Sequence, residues 1–268
     1  KTRYNNITCI FDINMKFKET GGESMSTMQE KLKKMNPRQL EAVLHTEGPL
    51  LILAGAGSGK TTVLINRIAY IIDQSLAKPW QILAITFTNK AAGELKERLT
   101  AMLGDTGDVW AATFHSTCAR ILRRDGDRIG YSSHFTVYDT DDSKRLVKDC
   151  QKALNIDDKM ISHKSILSEI SHAKDSMLSP ADYQAAAGSD FRLAKIGAVY
   201  ELYQKRLREA DAMDFDDLLG NTVELFRQCP DVLEYYQNRF RYIMVDEYQD
   251  TNQVQYEFVR LLAEKSKN

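Results

Sequence analysis

The stretch LLILAGAGSGKTTVLINRIAYII, residues 50–72, constrains this chain more than any other. An apolar run passes into a turn carrying Gly55, Gly57 and Gly59, and the turn passes into an amphipathic helix. Strand, glycine-rich turn and helix in that order make a phosphate-binding loop in its proper context. Glycines let backbone amides point inward around a di- or triphosphate, which rests at the positive end of the following helix. Lys60 then reaches the β- and γ-phosphates, and the Thr61 hydroxyl serves as a magnesium ligand. The expected nucleotide-binding segment is Ala54, Gly55, Ala56, Gly57, Ser58, Gly59, Lys60, Thr61 and Thr62. The strict pattern has glycine at position 54, where this chain has Ala54.

A second apolar run, Tyr242-Ile243-Met244-Val245, delivers Asp246 and Glu247 side by side. Such a pair can instead cap the next helix. With a phosphate loop upstream it completes a site: Asp246 is the expected metal partner, Glu247 the expected general base, and Lys60 the third catalytic residue. The two motifs together indicate nucleotide hydrolysis and say nothing of its use.

Strand-like runs at 50–54, 82–86, 109–113 and 241–245, separated by helical stretches, are the grammar of a parallel sheet covered by helices. The expected fold is α/β. Between about 140 and 213 the pattern changes to consecutive amphipathic helices, DDSKRLVKDCQKAL, SHKSILSEISHAK and DFRLAKIGAVYELYQKRLREA. This gives three expected parts: an N-terminal appendage at 1–24, a sheet domain at 25–135 and 214–268, and an all-helical insertion at 136–213. Within the appendage, residues 5–17 alternate like a strand. Asn36 and Pro37 read as the N-cap and first residue of a helix. Four scattered cysteines without a CxxC pair favour a reducing, cytoplasmic compartment, and no apolar run approaches a membrane span. The histidines lack metal-ligand spacing, so magnesium is the one metal expected. A formal net charge of -1 leaves nucleic-acid binding open.

Six segments occur in one order: MNPRQLEAV, AGAGSGKTT, ITFTNKAAGELKERL, ATFHSTCARILRR, DAMDFDDLL and VDEYQDTNQVQYEFVRLLA. The series, spanning about residues 28–263, closely resembles the UvrD/PcrA/Rep type of superfamily 1 DNA helicases. The resemblance implies a RecA-like ATP-binding domain of a motor that couples ATP hydrolysis to 3′ to 5′ movement on single-stranded DNA, in repair or replication. It implies ATP and magnesium as cofactors, and single strands and single/double-strand junctions as partners. Gln39 becomes the residue that reads the adenine edge, a solvated helix position being the lesser alternative. Phe87, Thr88, Asn89, Thr113, His115, Ser116 and Phe215 become DNA-facing. Stacking bases on aromatic rings is indifferent to sequence, which suits such a motor. Unaided, a lone Phe after a strand is more often core. Arg120, Arg123 and Arg124 read equally well as a solvated helix face, and Cys118 as a packing residue. The family often continues Gly-Lys-Thr with arginine where this chain has Thr62, which puts any contact of that arginine in doubt.

The resemblance also implies that the motor continues beyond residue 268, with a further strand, a γ-phosphate-sensing glutamine and a second RecA-like domain bearing arginine fingers. The chain therefore reads as an N-terminal portion whose sheet is incomplete through truncation. A different reading of the same residues is a nucleotide- and DNA-binding module without turnover.

Overall fold

The structure, a computed structural model, describes residues 27–55, 57–104 and 108–268. The appendage with its alternating segment, and Ala56 of the loop, lie outside the described residues. Helices α1 (Thr27–Lys33) and α2 (Pro37–Leu44) come first. Asn36 and Pro37 open α2: the Asn36 side chain accepts from the Gln39 N–H at 2.9 Å, and the Gln39 side chain accepts from the Asn36 N–H at 3.3 Å. Helix α3 (Lys60–Asp73) follows the phosphate loop, and a short turn leads into β1 (Ile82–Thr86). Then come α4 (Asn89–Leu103), β2 (Trp110–Thr113), α5 (Phe114–Asp125) and β3 (Thr136–Val137). Four helices form the next stretch: α6 (Thr140–Ala153), α7 (His163–Asp175), α8 (Pro180–Ala187) and α9 (Phe191–Glu209). The chain returns through β4 (Ala212–Met213), α10 (Phe215–Gln228), α11 (Pro230–Arg239), β5 (Tyr242–Val245) and α12 (Gln253–Ala263).

The main sheet is parallel in the order β2-β1-β5, with Ala84 opposite both Ala111 and Met244. Every residue of β1 is buried, as its unbroken apolar run requires of a central strand covered on both faces. Its side chains alternate between two cores. Leu83 and Ile85 join Phe114, Ile121, Phe226 and Phe258 on one face, while Ile82 and Ala84 join Ile65, Ile68, Leu95 and Leu99 on the other.

Helices α6, α7 and α9 bury a third cluster, built from Val147, Ile166, Ile170, Ile196, Tyr200 and Tyr203. The parallel pair β3–β4 ties the two ends of this helical stretch together, with Thr136 N–H donating to the Asp211 carbonyl and Tyr138 N–H to that of Met213. Three elements here, α8, β3 and β4, were not expected from the sequence. Helix α8 has no clear apolar stripe, and its signals are a Ser179 capping box and Pro180. A two-residue strand is too short to show alternation.

One expectation is corrected. Residues 50–54 form no strand, although the run is apolar. A strand exists only as one side of a ladder, and no neighbouring strand takes this segment's backbone groups among the described residues. Beyond β5 the Ile243 N–H donates to the Asn268 carbonyl at 3.2 Å, and the Asn268 side chain donates to the Thr46 carbonyl at 2.8 Å. Leu53 is left 85% exposed.

Candidate nucleotide and nucleic-acid site

The phosphate loop turns through positive φ at Gly57 (74°) and Gly59 (87°), backbone that residues with a Cβ rarely adopt. Gly59 is also closely approached: a Cβ there would stand 3.1 Å from the Gln39 side-chain nitrogen. Gly55 keeps an ordinary φ with open space around it, so the described geometry gives no steric reason for glycine there. The loop closes on itself, with the Ser58 hydroxyl donating to the Gly55 carbonyl at 2.7 Å. Gln39 Nε2 donates to the Ser58 carbonyl at 3.1 Å and joins α2 to the loop. Thr62 sits in the first turn of α3, and its carbonyl accepts from Asn66.

Lys60 donates to the Ala54 carbonyl at 3.2 Å and lies 3.9 Å from a Glu247 carboxylate oxygen. Asp246 follows directly on β5, with its N–H donating to the Ile85 carbonyl at 2.9 Å. Its carboxyl is pushed above the usual range, chiefly by burial and then by the charge of Glu247. The Glu247 N–H, Lys60 and the Thr61 hydroxyl oppose that shift. Glu247 takes a left-handed backbone, φ 50° and ψ 43°, rare for a residue with a side chain. That turn directs the chain away from the strand, and Gln249 Nε2 donates to the Glu247 carboxylate. Gln249 was missed by the sequence reading; its place in YQD, two residues beyond the acid, was the available signal.

The residues expected to face DNA fall at the same end of the sheet, where parallel strands characteristically carry ligands. Phe87 follows β1, is 37% exposed, and meets the buried Phe114 edge-on at 5.6 Å. Thr88 caps α4 by accepting from the Ala91 N–H, and the exposed Asn89 is that helix's first residue. Thr113 ends β2 and caps α5, bonding to both the N–H and the hydroxyl of Ser116. His115 lies 5.7 Å from Phe215, which is 49% exposed at the start of α10. Burial holds the His115 imidazole below its ordinary pKa despite the pull of Asp216. Both hydroxyls of the threonine pair are thus engaged in capping, while the two phenylalanines and His115 are presented.

Cys118 is buried and its thiol is pushed up to about 12 by burial, the state of a packing residue. The three arginines of α5 are not a plain solvated face. Arg120 lies over Trp110 at 4.0 Å, Arg123 over Phe135 at 3.9 Å and Arg124 over Tyr235 at 3.7 Å.

A parallel sheet that carries a phosphate loop and an acid pair at one end, with helices on both faces, is a RecA-like phosphate-loop domain. The chain belongs to the UvrD helicase family, whose UvrD/REP helicase N-terminal domain matches residues 35–268. It is 52% identical over 242 residues to the ATP-dependent DNA helicase PcrA of Staphylococcus aureus, covering 90% of this chain and 33% of that protein. The same identity and coverage hold for the PcrA of Staphylococcus epidermidis. The chain thus spans about a third of the length of these relatives.

Proposed function

We propose that this chain is the nucleotide-gripping part of an ATP-driven motor that moves 3′ to 5′ along single-stranded DNA and engages single/double-strand junctions in the cytoplasm. The observation that carries the proposal is the meeting of Lys60, Thr61, Asp246 and Glu247 at the sheet end that also presents Phe87, His115 and Phe215. That its relatives are ATP-dependent DNA helicases by name supports it. No helix among the described residues is long and apolar enough to cross a membrane.

The Thr61 hydroxyl lies near enough to the Asp246 carboxylate to favour its charged form, so two hard oxygen donors lie together beside the loop, which is the donor chemistry magnesium takes. Thr61 and Asp246 would hold the ion, which when bound neutralises phosphate charge. Lys60 exchanges the Ala54 carbonyl for the β- and γ-phosphates. Gln39 reads the adenine edge from its anchor on the loop, and Glu247 accepts the proton of the attacking water. Residues 25–135 with 214–268 act as the motor domain and 136–213 as a helical insertion. The separate apolar cluster of α6, α7 and α9 supports that division.

Calorimetry with ATP and magnesium tests the reading. Lys60→Ala is expected to abolish binding, and undiminished affinity in that variant places the nucleotide elsewhere. In a protein of the relatives' full length, Glu247→Gln is expected to reduce DNA-stimulated hydrolysis by about 10²- to 10⁴-fold while nucleotide still binds.

A further inference from the structure

The outer edge of β2 borders a groove of about 270 Å³ that the row of DNA-facing residues reaches only through Ser116. Lys96 of α4, Arg120 of α5 and Arg239 of α11 reach it from three helices, with Trp110 and Ser116 between them. Among the described residues its lining has one carboxylate, Asp108, against those three cations. The two guanidiniums rest on a single indole, at 4.0 Å for Arg120 and 5.3 Å for Arg239 from the Trp110 ring centre. Arg239 Nε is buried and finds no hydrogen-bond partner among the described residues.

Like charges do not gather around one concavity without a cost, and a buried guanidinium donor left unpaired adds to it. An anion in the groove removes the first of these costs. Guanidinium forks match phosphate oxygens bidentately, and resting on an aromatic face fixes their planes in advance. Ser116 adds a hydroxyl. It also belongs to the first turn of α5 beside His115, so the groove continues the presented row instead of standing apart from it.

We infer that this groove, formed by Lys96, Arg120 and Arg239 around Trp110, holds a backbone phosphate of the nucleic-acid strand. The inference rests on the DNA reading proposed above and adds to it a contact on the far side of α5. Arg120 and Arg239 bind the phosphate directly, Lys96 contributes charge from the rim, and Ser116 joins the groove to the row.

The test is fluorescence anisotropy of a labelled single-stranded oligonucleotide on this chain across a range of salt concentrations. The combined variant Lys96→Gln, Arg120→Gln, Arg239→Gln is expected to bind more weakly at low salt. Its slope of log affinity against log salt is expected to be shallower by about 0.7, the change for one lost single-strand phosphate contact. Lys96→Gln alone, which leaves both guanidiniums on Trp110, is expected to move the slope the same way and reports charge even if the combined variant misfolds. With two tryptophans in the chain, a Trp80→Phe background leaves Trp110 as the reporter, and its emission is expected to change on binding. Salt-dependent binding by the wild type with unchanged slopes in both variants and a silent Trp110 overturns the groove and leaves the DNA reading standing. A wild type that binds no oligonucleotide at all overturns the DNA reading, and the groove falls with it.

Discussion

Phe215 is half exposed where a large apolar ring ordinarily gains from burial, and its position follows from its neighbours in sequence. Asp214 is the N-cap of α10 and Asp217 completes the capping box, so the helix start is fixed on both sides of the ring. Phe215→Ala should therefore cost stacking with little loss of fold. We expect single-stranded DNA affinity to fall by the equivalent of about 1–3 kcal/mol, measured by anisotropy at fixed salt. Unchanged affinity would assign the ring to packing against His115. A second residue-scale prediction concerns Glu257, bonded by Arg260 at 2.7 Å and by Arg227 at 2.9 Å, which bring its carboxyl down to about 2. A carboxyl lowered on folding stabilises the native state above its unfolded value near 4.5, and that stability is lost as pH falls toward 2. Glu257→Gln should lower the melting temperature at pH 7, and the gap from wild type should close over that window in thermal scans. A gap independent of pH would mean that packing, not charge, holds the site. Lys60, Thr61, Asp246 and Glu247 were legible as candidates because Gly-Lys-Thr and Asp-Glu are chemistry that neighbours in sequence can spell, whereas Gln39 and the DNA-facing candidates came only with the resemblance. The left-handed backbone at Glu247 and the capping duties of Thr88 and Thr113 were not legible, since they depend on which way the chain leaves each strand.

At the scale of elements, one lysine ties the helical stretch to the start of α10. Lys174 of α7 is buried and donates to Asp214 at 2.6 Å, and lies 2.8 Å from Asp217. Tyr203 of α9 donates to the same Asp214 oxygen, and Gln204 donates to Asp217. The two carboxylates hold the ammonium charged, with its pKa raised above the ordinary lysine value, although burial alone pulls it down. A buried ion pair need not stabilise a protein relative to an apolar replacement, but removing one partner strands the other. Lys174→Met leaves two buried carboxylates beside each other and should cost about 3–5 kcal/mol in urea unfolding. The charge-free combination Lys174→Met, Asp214→Asn, Asp217→Asn should recover part of that loss, and no recovery would locate the damage in packing. Nothing in the spacing of SHKSILSEISHAK marks Lys174, because a lysine in an amphipathic helix reads as solvated until a partner forty residues away is known. By contrast α6, α7 and α9 were legible, since their apolar positions recur at helical spacing and bury one cluster.

At the scale of the whole molecule, the phosphate loop is anchored asymmetrically. Its C-terminal side continues into α3, whose Ile65, Ile68 and Ile71 lie in the core, but its N-terminal side is the run 50–54, which no strand among the described residues pairs. The apolar composition of that run predicted a strand correctly by pattern and wrongly by outcome, because pattern records what a segment would bury and not whether a neighbour is there to pair with it. The consequence is measurable in amide exchange, which reports local opening free energies from near zero up to the global stability. Amides of 82–86, hydrogen-bonded into the middle of a three-stranded sheet, should exchange only with global unfolding. Amides of 50–54 should exchange orders of magnitude faster, near the rate of unstructured chain, in the absence of nucleotide. Adding ATP and magnesium should slow exchange in the loop and the first turn of α3 while leaving 50–54 largely unprotected, since the phosphates bind loop amides and supply no ladder. Protection in 50–54 equal to that in β1 without nucleotide would show that the segment has found a partner strand, and would overturn this account of the loop's anchoring.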